Sequence, residues 1–340
     1  MSEKIFDSSK PPFIIAEMSG NHNQSLERAL KIVEKVAKTG AHAIKIQTYT
    51  PDSITINHRG GLFDINDEKS LWNGKNLYEL YQEAYTPYEW HAPIFEYAQK
   101  LGLICFSTPF DEYAVDFLTA LGNPIFKIAS FENNHIPLIK KVAQTGKPII
   151  ISGGIATIEM IDLAIETLKQ NGSSEIALLK CTSTYPAIET DSNLLTIPFY
   201  KNRYNTTIGL SDHTMGTAVS VASVALGAQV IEKHFCLSRA DGGVDSAFSL
   251  EPAEFTQLVK DCKSAWQSLG TVQTTIMPNE QKSVVFKRSI YVVKDIQIGN
   301  ELTSENIRII RPGGGMEPLH FEKLLGTKAI KNYKRGEPLV

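Results

Sequence analysis

Short apolar runs alternate with amphipathic segments along most of the chain, which is the pattern of β–α units. The segment Phe13–Ser19 predicts a strand, and the segment behind it predicts a helix that is closed by Gly40. The apolar residues of that helix recur at helical spacing and are Leu26, Ala29, Leu30, Val33 and Val36. Seven further apolar runs predict strands that begin at Ala43, Ile104, Ile125, Ile149, Ile176, Thr206 and Val230.

Eight such units over about 270 residues match the size of a TIM (β/α)8 barrel, which is typically about 250 residues long. A doubly wound sheet needs a glycine-rich first turn of the GxGxxG type. Here the first strand leads into SGNHNQS instead. The predicted fold class is therefore α/β, a TIM barrel followed by a small, mostly-β module.

The chain divides into three predicted parts. Residues 1–269 form the barrel, residues 270–282 lack an apolar period and form a linker, and residues 283–340 form the small module with short strands at SIYVV and IRII. Residues 51–86 form a long loop after the second strand, and its Tyr-rich stretch LYELYQEAYTPYEW predicts mostly a helix face and its cap. Because that position lies on the catalytic face of a barrel, we expect this loop to act as a lid.

Charge and composition exclude several classes of protein. The 340 residues carry 34 Lys+Arg and 37 Asp+Glu, a net charge of −3, without a basic block. Nucleic-acid or membrane binding through bulk charge is therefore not expected. The polar N-terminus with Pro11 and Pro12 lacks the pattern of a signal peptide, and four cysteines form no CxxC pair. We expect a cytoplasmic protein with reduced thiols.

Polar side chains close every predicted strand, where a barrel carries its chemistry. Any one of these side chains is compatible with a hydrogen-bonded residue of the core. A purely structural role does not readily explain a polar residue at the end of every strand. In chain order the set is Glu17; Lys45 and Gln47; Ser107 and Thr108; Lys127 and Ser130; Ser152; Lys180 and Ser183; Ser211 and His213; Glu232, Lys233 and His234.

Two of these residues suggest a metal site. His213 and His234 end consecutive strands, which are neighbours in a barrel, so that their imidazoles can meet around one divalent ion. Glu17 can contribute directly or through water, and His22 is a further candidate. Two imidazoles with oxygen ligands and open positions suit Mn²⁺, Fe²⁺, Co²⁺ or Mg²⁺. The alternative is that the histidines are core residues.

Two lysines lie inside apolar strands, where an ammonium group is costly unless it is paired. Lys45 and Lys127, with serine hydroxyls around them, can form a pocket for a phosphate or a carboxylate. One lysine can instead be a Schiff-base nucleophile. A third possibility is a structural ion pair with Glu17, Glu132 or Glu232.

Several segments, in this order, resemble the N-acetylneuraminate (sialic acid) synthase family, and within it the branch that makes pseudaminic acid. The similarity covers essentially the whole chain. The segments are AEMSGNHNQS, AIKIQTY, LYELYQEAYTP, FSTPFDEYAVDFL, FKIASFENNH, IISGGIAT, LLKCTSTYPA, GLSDHT and IEKHFCLSRADGGVDSAFSLEP.

The resemblance implies a metal-dependent condensation of phosphoenolpyruvate with an open-chain acetamido sugar, with Mn²⁺, Co²⁺ or Mg²⁺ as cofactor. It implies that His213 and His234 hold the metal and that Glu17 is catalytic. The phosphoenolpyruvate-binding positions would be Lys45, Thr108, Lys127, Ser130, Ser152, Ser183 and Ser211, and the sugar-contacting positions Glu132, Tyr185, Asp245 and Arg311.

The tail KRSIYVVKDIQIGNELTSENIRIIRPGGGMEP resembles the antifreeze-like (SAF) domain of the same family. In the family an arginine at the position of Arg311 reaches into the partner subunit's barrel. The resemblance therefore implies a domain-swapped homodimer.

Three positions and one loop depart from the sialic acid branch. Ser19 replaces a glycine, Gln24 replaces a glycine after NHN, Ser183 replaces an asparagine, and the loop after His234 is GGVDSAFSLEP. These departures favour 2,4-diacetamido-2,4,6-trideoxy-L-altrose over N-acetylmannosamine as the sugar. The alternatives are a synthase for legionaminic or N-acetylneuraminic acid and, more remotely, a non-catalytic carbohydrate-binding protein.

Overall fold

The computed structural model describes residues 5–173 and 175–340. Eight parallel strands close into one barrel in chain order, which confirms the predicted TIM fold. The barrel strands are β1 Phe13–Glu17, β2 Ala43–Thr48, β3 Ile104–Pro109, β4 Phe126–Ile128, β5 Ile149–Ser152, β6 Ile176–Cys181, β7 Thr207–Asp212 and β8 Val230–His234.

Helices follow the strands, and two more lie in the segment predicted to be a long loop. Residues 51–86 contain α2, α3 and a 3-10 turn at Gly61–Phe63, and α3 lies in the Tyr-rich stretch that was predicted to be helical. None of the helices in the described ranges is long and apolar enough to cross a membrane. The helices are α1 Leu26–Ala37, α2 Pro51–Ile54, α3 Leu77–Ala84, α4 Tyr88–Lys100, α5 Glu112–Leu121, α6 Ile136–Gln144, α7 Ile158–Gln170, α8 Thr196–Arg203, α9 Ala218–Ala225, α10 Pro252–Leu269 and α11 Phe321–Leu324.

The first helix shows how local sequence sets these elements. The side chain of Ser25 accepts a hydrogen bond from the Arg28 N–H and so caps the start of α1. Gly40 follows the helix at φ +86°, a left-handed conformation that a glycine adopts without strain. The buried face of the helix consists of Ala29, Ile32, Val33 and Val36.

The barrel interior is layered along the strands. Because successive side chains of a strand point to opposite faces, every second residue faces the interior. One layer is apolar and includes Phe13, Phe106, Ile150, Leu179 and Val230, all buried in one cluster. Toward the carboxyl ends of the strands, the same alternation replaces these residues with charged and hydroxyl-bearing ones.

Residues Thr271–Val340 form a second compact unit. Its strands β9 Ser289–Val292 and β10 Ile307–Ile310 pair antiparallel, at the positions that the sequence predicts. A 3-10 helix at Pro278–Phe286 crosses from the predicted linker into the predicted module. The unit has its own apolar cluster, which includes Ile290, Val292, Ile296, Leu302, Ile307 and Tyr333.

One fully buried ion pair ties β7 to β8 on the side of the strands that faces the helices. Lys233 Nζ lies 2.8 Å from Asp212 Oδ2 and donates to the carbonyl of Thr214 at 2.6 Å. The Asp212 carboxylate also accepts from Ser220 and Thr214 hydroxyls. The pair is thereby satisfied on both sides, as a buried charge requires.

Asp212→Ala leaves the Lys233 ammonium buried and without its carboxylate. We expect the free energy of unfolding to fall by about 3–5 kcal/mol, measured by equilibrium urea denaturation. Asp116→Ala, which removes the exposed partner of Lys141, should cost at most about 1 kcal/mol. Equal losses in the two variants would contradict the structural role of the buried pair.

Candidate active site

A cavity of about 520 Å³ opens at the carboxyl ends of the barrel strands. Its walls include every residue predicted for the site except Thr108, Ser183 and Arg311. The segment 51–86 contributes Trp72 and Tyr81 to the same walls, so it covers the site as expected of a lid. The polar residues at the strand ends and the segment 51–86 therefore line one cavity.

Lys45 on β2 is held by a carboxylate from the neighbouring strand. Strand register puts it beside Glu17, and its Nζ lies 2.6 Å from Glu17 Oε2. Lys45 Nζ also donates to the Thr108 hydroxyl at 3.2 Å, so Thr108 supports the site although it does not line the cavity. The second carboxylate near Lys45 belongs to Glu232, at 3.8 Å.

Lys127 on β4 reaches across the barrel to β8. Its Nζ donates to both carboxylate oxygens of Glu232, at 2.8 and 3.0 Å. Ser211 donates to the same carboxylate at 3.1 Å. Both buried lysines thus have carboxylate partners, which is the structural pairing that the sequence left open, and the same ammonium groups face the cavity.

Burial and ion pairing shift the pKa values of these groups in opposite directions. Burial raises the pKa of Glu17, and the neighbouring Lys45 offsets this only in part. Burial acts to raise the pKa of Glu232, yet Lys127 and Lys45 lower it to about 2. Burial acts to lower the pKa of Lys45, but Glu17 and Glu232 outweigh it and raise the pKa. Lys45 is therefore charged, which disfavours its use as a Schiff-base nucleophile.

Hydroxyl groups surround the lysines, and one of them has no partner. Ser152 Oγ is buried and makes no hydrogen bond. Ser130 and Ser183 hydroxyls bond each other at 2.8 Å, which places Ser183 directly behind the cavity wall. A Cβ at Gly154 would lie 2.3 Å from Ser183 Oγ, so this glycine makes room for the pair. An unpartnered buried donor is expected where a ligand supplies the acceptor.

The two histidines meet at the wall of the cavity. The ring centroids of His213 and His234 are 5.3 Å apart, and Tyr185 packs against His213 at 4.5 Å. His213 Nδ1 lies 2.8 Å from the carbonyl of Thr182 and donates to it, so that in the neutral ring Nε2 is an acceptor. His234 Nδ1 is buried without a hydrogen-bond partner. Burial lowers the pKa of His234 well below its ordinary value.

Two features of these histidines suit the binding of a divalent cation. One ring is oriented by a carbonyl, as metal-binding imidazoles commonly are, and the other carries an orphaned polar atom. In the two described ranges no group of three or more His, Cys, Asp or Glu side chains is arranged to hold a metal. The Glu17 carboxylate, a candidate third ligand, is committed to Lys45. Water and substrate oxygens would have to complete the coordination shell.

The residues predicted to contact a sugar lie along another part of the cavity. Burial raises the pKa of Glu132 to about 7, and its Oε2 has no partner. Asp245, in the loop after β8, accepts a hydrogen bond from the Ser19 hydroxyl, and burial raises its pKa. Tyr185 packs against Phe248 and Trp72, which gives this side of the cavity an apolar face.

Two of the predicted candidates and one further charged residue lie elsewhere. Arg311 is an exposed residue of the second unit. His22 is buried against Trp90 and bonded to Gln24, so it holds the loop after β1 together and does not line the cavity. Asp241 pairs with Arg28 at 2.9 Å on the outside of the barrel.

Four residues that were not predicted as site residues line the cavity, namely Gln47, Trp72, Cys181 and Glu232. The sequence predicts Gln47 and Glu232 only as polar strand ends, and Glu232 also as a possible ion-pair partner. Cys181 lines the cavity beside His213, and Trp72 donates from Nε1 to the carbonyl of Val244 at 2.8 Å. A period-2 reading of every strand would have found Gln47, Cys181 and Glu232, whereas nothing in the sequence pairs Trp72 with Val244.

Known proteins share this architecture. Residues 32–274 match the NeuB family and residues 287–340 match the SAF domain, so the chain belongs to the NeuB family, as the resemblance indicated. It is 45% identical over 334 residues to the pseudaminic acid synthase of Campylobacter jejuni subsp. jejuni serotype O:2, covering 98% of this chain and 97% of that one.

Two further proteins extend the comparison. The pseudaminic acid synthase of Helicobacter pylori is 43% identical over 331 residues, covering 97% of each chain. The crystal structure of the N-acetylneuraminic acid (sialic acid) synthetase from Leptospira borgpetersenii serovar Hardjo-bovis, in complex with citrate, superposes with a TM-score of 0.71 at 32% identity. That match covers 81% of this chain and 90% of that one.

The raised pKa of Glu132 makes the stability of the folded protein depend on pH. Its folded pKa of about 7 lies above the ordinary carboxyl value of 4.5, so the folded state binds the extra proton and stability falls as pH rises from about 5 to 7. We expect Glu132→Gln to abolish this loss, so that its stability relative to wild type increases by about 2–3 kcal/mol over that window.

The measurement is urea denaturation of both proteins between pH 5 and 8 without ligand. Glu68→Gln, at an exposed position, serves as the control and should run parallel to wild type. Parallel curves for Glu132→Gln and wild type would show that Glu132 titrates like an ordinary surface carboxylate.

Proposed function

We propose that this chain is a pseudaminic acid synthase, which joins phosphoenolpyruvate to 2,4-diacetamido-2,4,6-trideoxy-L-altrose and releases phosphate. The observation that carries the proposal is 45% identity over nearly the full length of the Campylobacter enzyme, on a barrel whose cavity holds two buried lysines and two histidines. The Leptospira sialic acid synthetase stands at 32%, so synthases of neuraminic or legionaminic acid remain the alternative with the same chemistry.

Lys45 and Lys127 would bind the carboxylate and phosphate of phosphoenolpyruvate. In the ligand-free site their two positive charges are matched by Glu17 and Glu232. An incoming dianionic group therefore has to take over at least one of these pairings. Charge-assisted hydrogen bonds from an ammonium in a water-poor cavity are among the strong ones, which favours this exchange.

Hydroxyl groups would complete the anion pocket. Ser152 has a free donor, and Ser211 donates to Glu232 until that carboxylate is displaced. Ser130 lines the cavity, whereas Ser183 and Thr108 stand behind its wall, and all three can turn their hydroxyls toward the ligand. A pocket made of two cations and several neutral donors suits a ligand that carries both a carboxylate and a phosphate.

The sugar would lie between Tyr185, Glu132 and Asp245. The carboxylates of Glu132 and Asp245 would accept hydrogen bonds from its hydroxyl and amide groups. The enol carbon of phosphoenolpyruvate attacks the aldehyde carbon, and a carbon–carbon bond forms. Water then adds to the adjacent carbon, and the carbon–oxygen bond to phosphate breaks. Glu17 is the proposed residue that orients or deprotonates this water, since burial raises its pKa toward the range of a general base.

A divalent cation, Mn²⁺, Co²⁺ or Mg²⁺, is the proposed cofactor, held by His213 and His234. When bound, such an ion polarises a carbonyl oxygen as a Lewis acid. The Thr182 carbonyl fixes the His213 ring, and Tyr185 and Phe248 keep water away from both rings.

The proposed assembly is a homodimer in which Arg311 of one subunit enters the barrel of the other. Support comes from the family position of this arginine and from its exposure on the second unit. No nucleic acid or membrane is part of the proposal.

Phosphate release from phosphoenolpyruvate tests the function directly. Purified protein with Mn²⁺ receives the altrose derivative or N-acetylmannosamine in parallel, with Lys127→Met as the inactive control. We expect release with the altrose derivative only. Release with N-acetylmannosamine would keep the chemistry and overturn the sugar. Release with neither would overturn the synthase and favour a binding protein.

Subunit mixing tests the role of Arg311. Arg311→Ala and Lys127→Met are each expected to be inactive, but their heterodimer carries one intact barrel served by an intact arginine from the partner. Co-expression should therefore restore about one quarter of wild-type activity. Activity no higher than that of the single variants would show that Arg311 acts within its own subunit or not at all.

A further inference from the structure

Ser19 stands in an unusual conformation at the edge of the cavity. It follows β1 two residues after Glu17, is 3% exposed, and has φ +47°. This left-handed region is uncommon for a residue with a side chain and costs conformational energy. A side chain held in such a conformation inside a ligand cavity calls for a compensating interaction.

The Ser19 hydroxyl has that interaction on both sides. It donates to Asp245 Oδ2 and accepts from Gln47 Nε2 at 3.2 Å. Gln47 Nε2 also donates to Glu17 Oε1 at 3.2 Å. Because a hydroxyl has one proton to donate, the acceptance from Gln47 directs that proton toward Asp245. A continuous hydrogen-bonded chain thus joins Glu17 at the reacting end to Asp245 at the sugar end.

The backbone around Ser19 is fitted to the loop that carries Asp245. A Cβ at Gly20 would lie 2.3 Å from Val244 Cγ2 and 3.0 Å from Ala84 Cα, so only glycine allows this approach. On the far side of the loop, Trp72 bonds the Val244 carbonyl. The loop position is therefore fixed independently of the serine hydroxyl, and what Ser19 adds is the direction of the Asp245 carboxylate.

We propose that Ser19 is a positioning residue that holds the Asp245 carboxylate in the orientation needed by the acceptor sugar. The proposal rests on the proposed function, since it takes Asp245 as a sugar contact. Without the hydroxyl, the carboxylate keeps the hydrogen bond from the Gly20 backbone N–H but loses its second donor, and it can turn about the remaining bond away from the sugar. The phosphoenolpyruvate end, held by the buried lysines, does not depend on this bond.

Two substitutions separate the hydroxyl from the backbone. Ser19→Ala removes the hydroxyl and keeps the left-handed strain, whereas Ser19→Gly removes both. Both variants should raise KM for the sugar by about 10-fold or more, the loss expected for one hydrogen bond to a charged group, with KM for phosphoenolpyruvate within about twofold of wild type. Ser19→Gly should melt at a higher temperature than Ser19→Ala.

Ser246→Ala is the matched control, because Ser246 lies in the same loop and its hydroxyl donates to the Gly243 carbonyl at 3.1 Å. It should leave both KM values near wild type. In an Asp245→Asn background, Ser19→Ala should have no further effect on KM for the sugar, since the two residues act as one unit. Calorimetric binding of phosphoenolpyruvate to each variant establishes that the barrel is folded.

Distinct results overturn the two proposals. If wild type is active and Ser19→Ala leaves KM for the sugar unchanged, or raises both KM values equally, Ser19 does not position Asp245. If Ser19→Ala is impaired and Ser19→Gly is not, the backbone and not the hydroxyl is responsible. Wild-type protein that uses no amino sugar would refute the proposed function, and the inference with it.

Discussion

The rest of the structure depends on four buried charges in one layer of the barrel. Lys45 and Lys127 cannot stay charged in an apolar interior without partners, and Glu17 and Glu232 supply them. Strand register makes this possible, because it puts Glu17 beside Lys45 and Ser211 beside Glu232. The apolar layer beneath excludes water, which strengthens each of these interactions.

The same arrangement explains how a closed barrel keeps room for an anionic substrate. Replacing such pairs by apolar residues is often neutral or favourable for stability, so their presence is poorly explained by folding alone. Unpartnered Ser152 and the unpartnered carboxylate oxygen of Glu132 lie around the pairs and point to the same conclusion. In this interior each lysine has a carboxylate partner, but some buried hydroxyl and carboxylate oxygens have no hydrogen-bond partner. Such oxygens are expected where a ligand binds.

Much of this was accessible from the sequence, since lysines inside apolar strands conflict with a simple core. The alternation of apolar runs with amphipathic segments predicted the barrel, strand order predicted the meeting of His213 with His234, and Gly40 predicted the end of the first helix. The sequence did not decide which of Glu17, Glu132 and Glu232 pairs with Lys127, because β4 and β8 are not neighbours and no spacing rule connects them. Ser19 was noticed only as a departure from the sialic acid branch, since a left-handed φ at a serine has no local sequence signal. Within residues 51–86 the Tyr-rich stretch predicted α3, whereas the four residues of α2 are too few to show an apolar period.

A crystal structure of the protein with phosphoenolpyruvate and Mn²⁺ tests the central claim most directly. The account predicts that ligand oxygens lie within about 3.2 Å of both Lys45 Nζ and Lys127 Nζ. It also predicts that at least one of the present lysine–carboxylate pairs is opened. Phosphoenolpyruvate bound elsewhere, with both lysines still paired only to Glu17 and Glu232, would contradict the account and leave the four charges as a structural feature of the barrel.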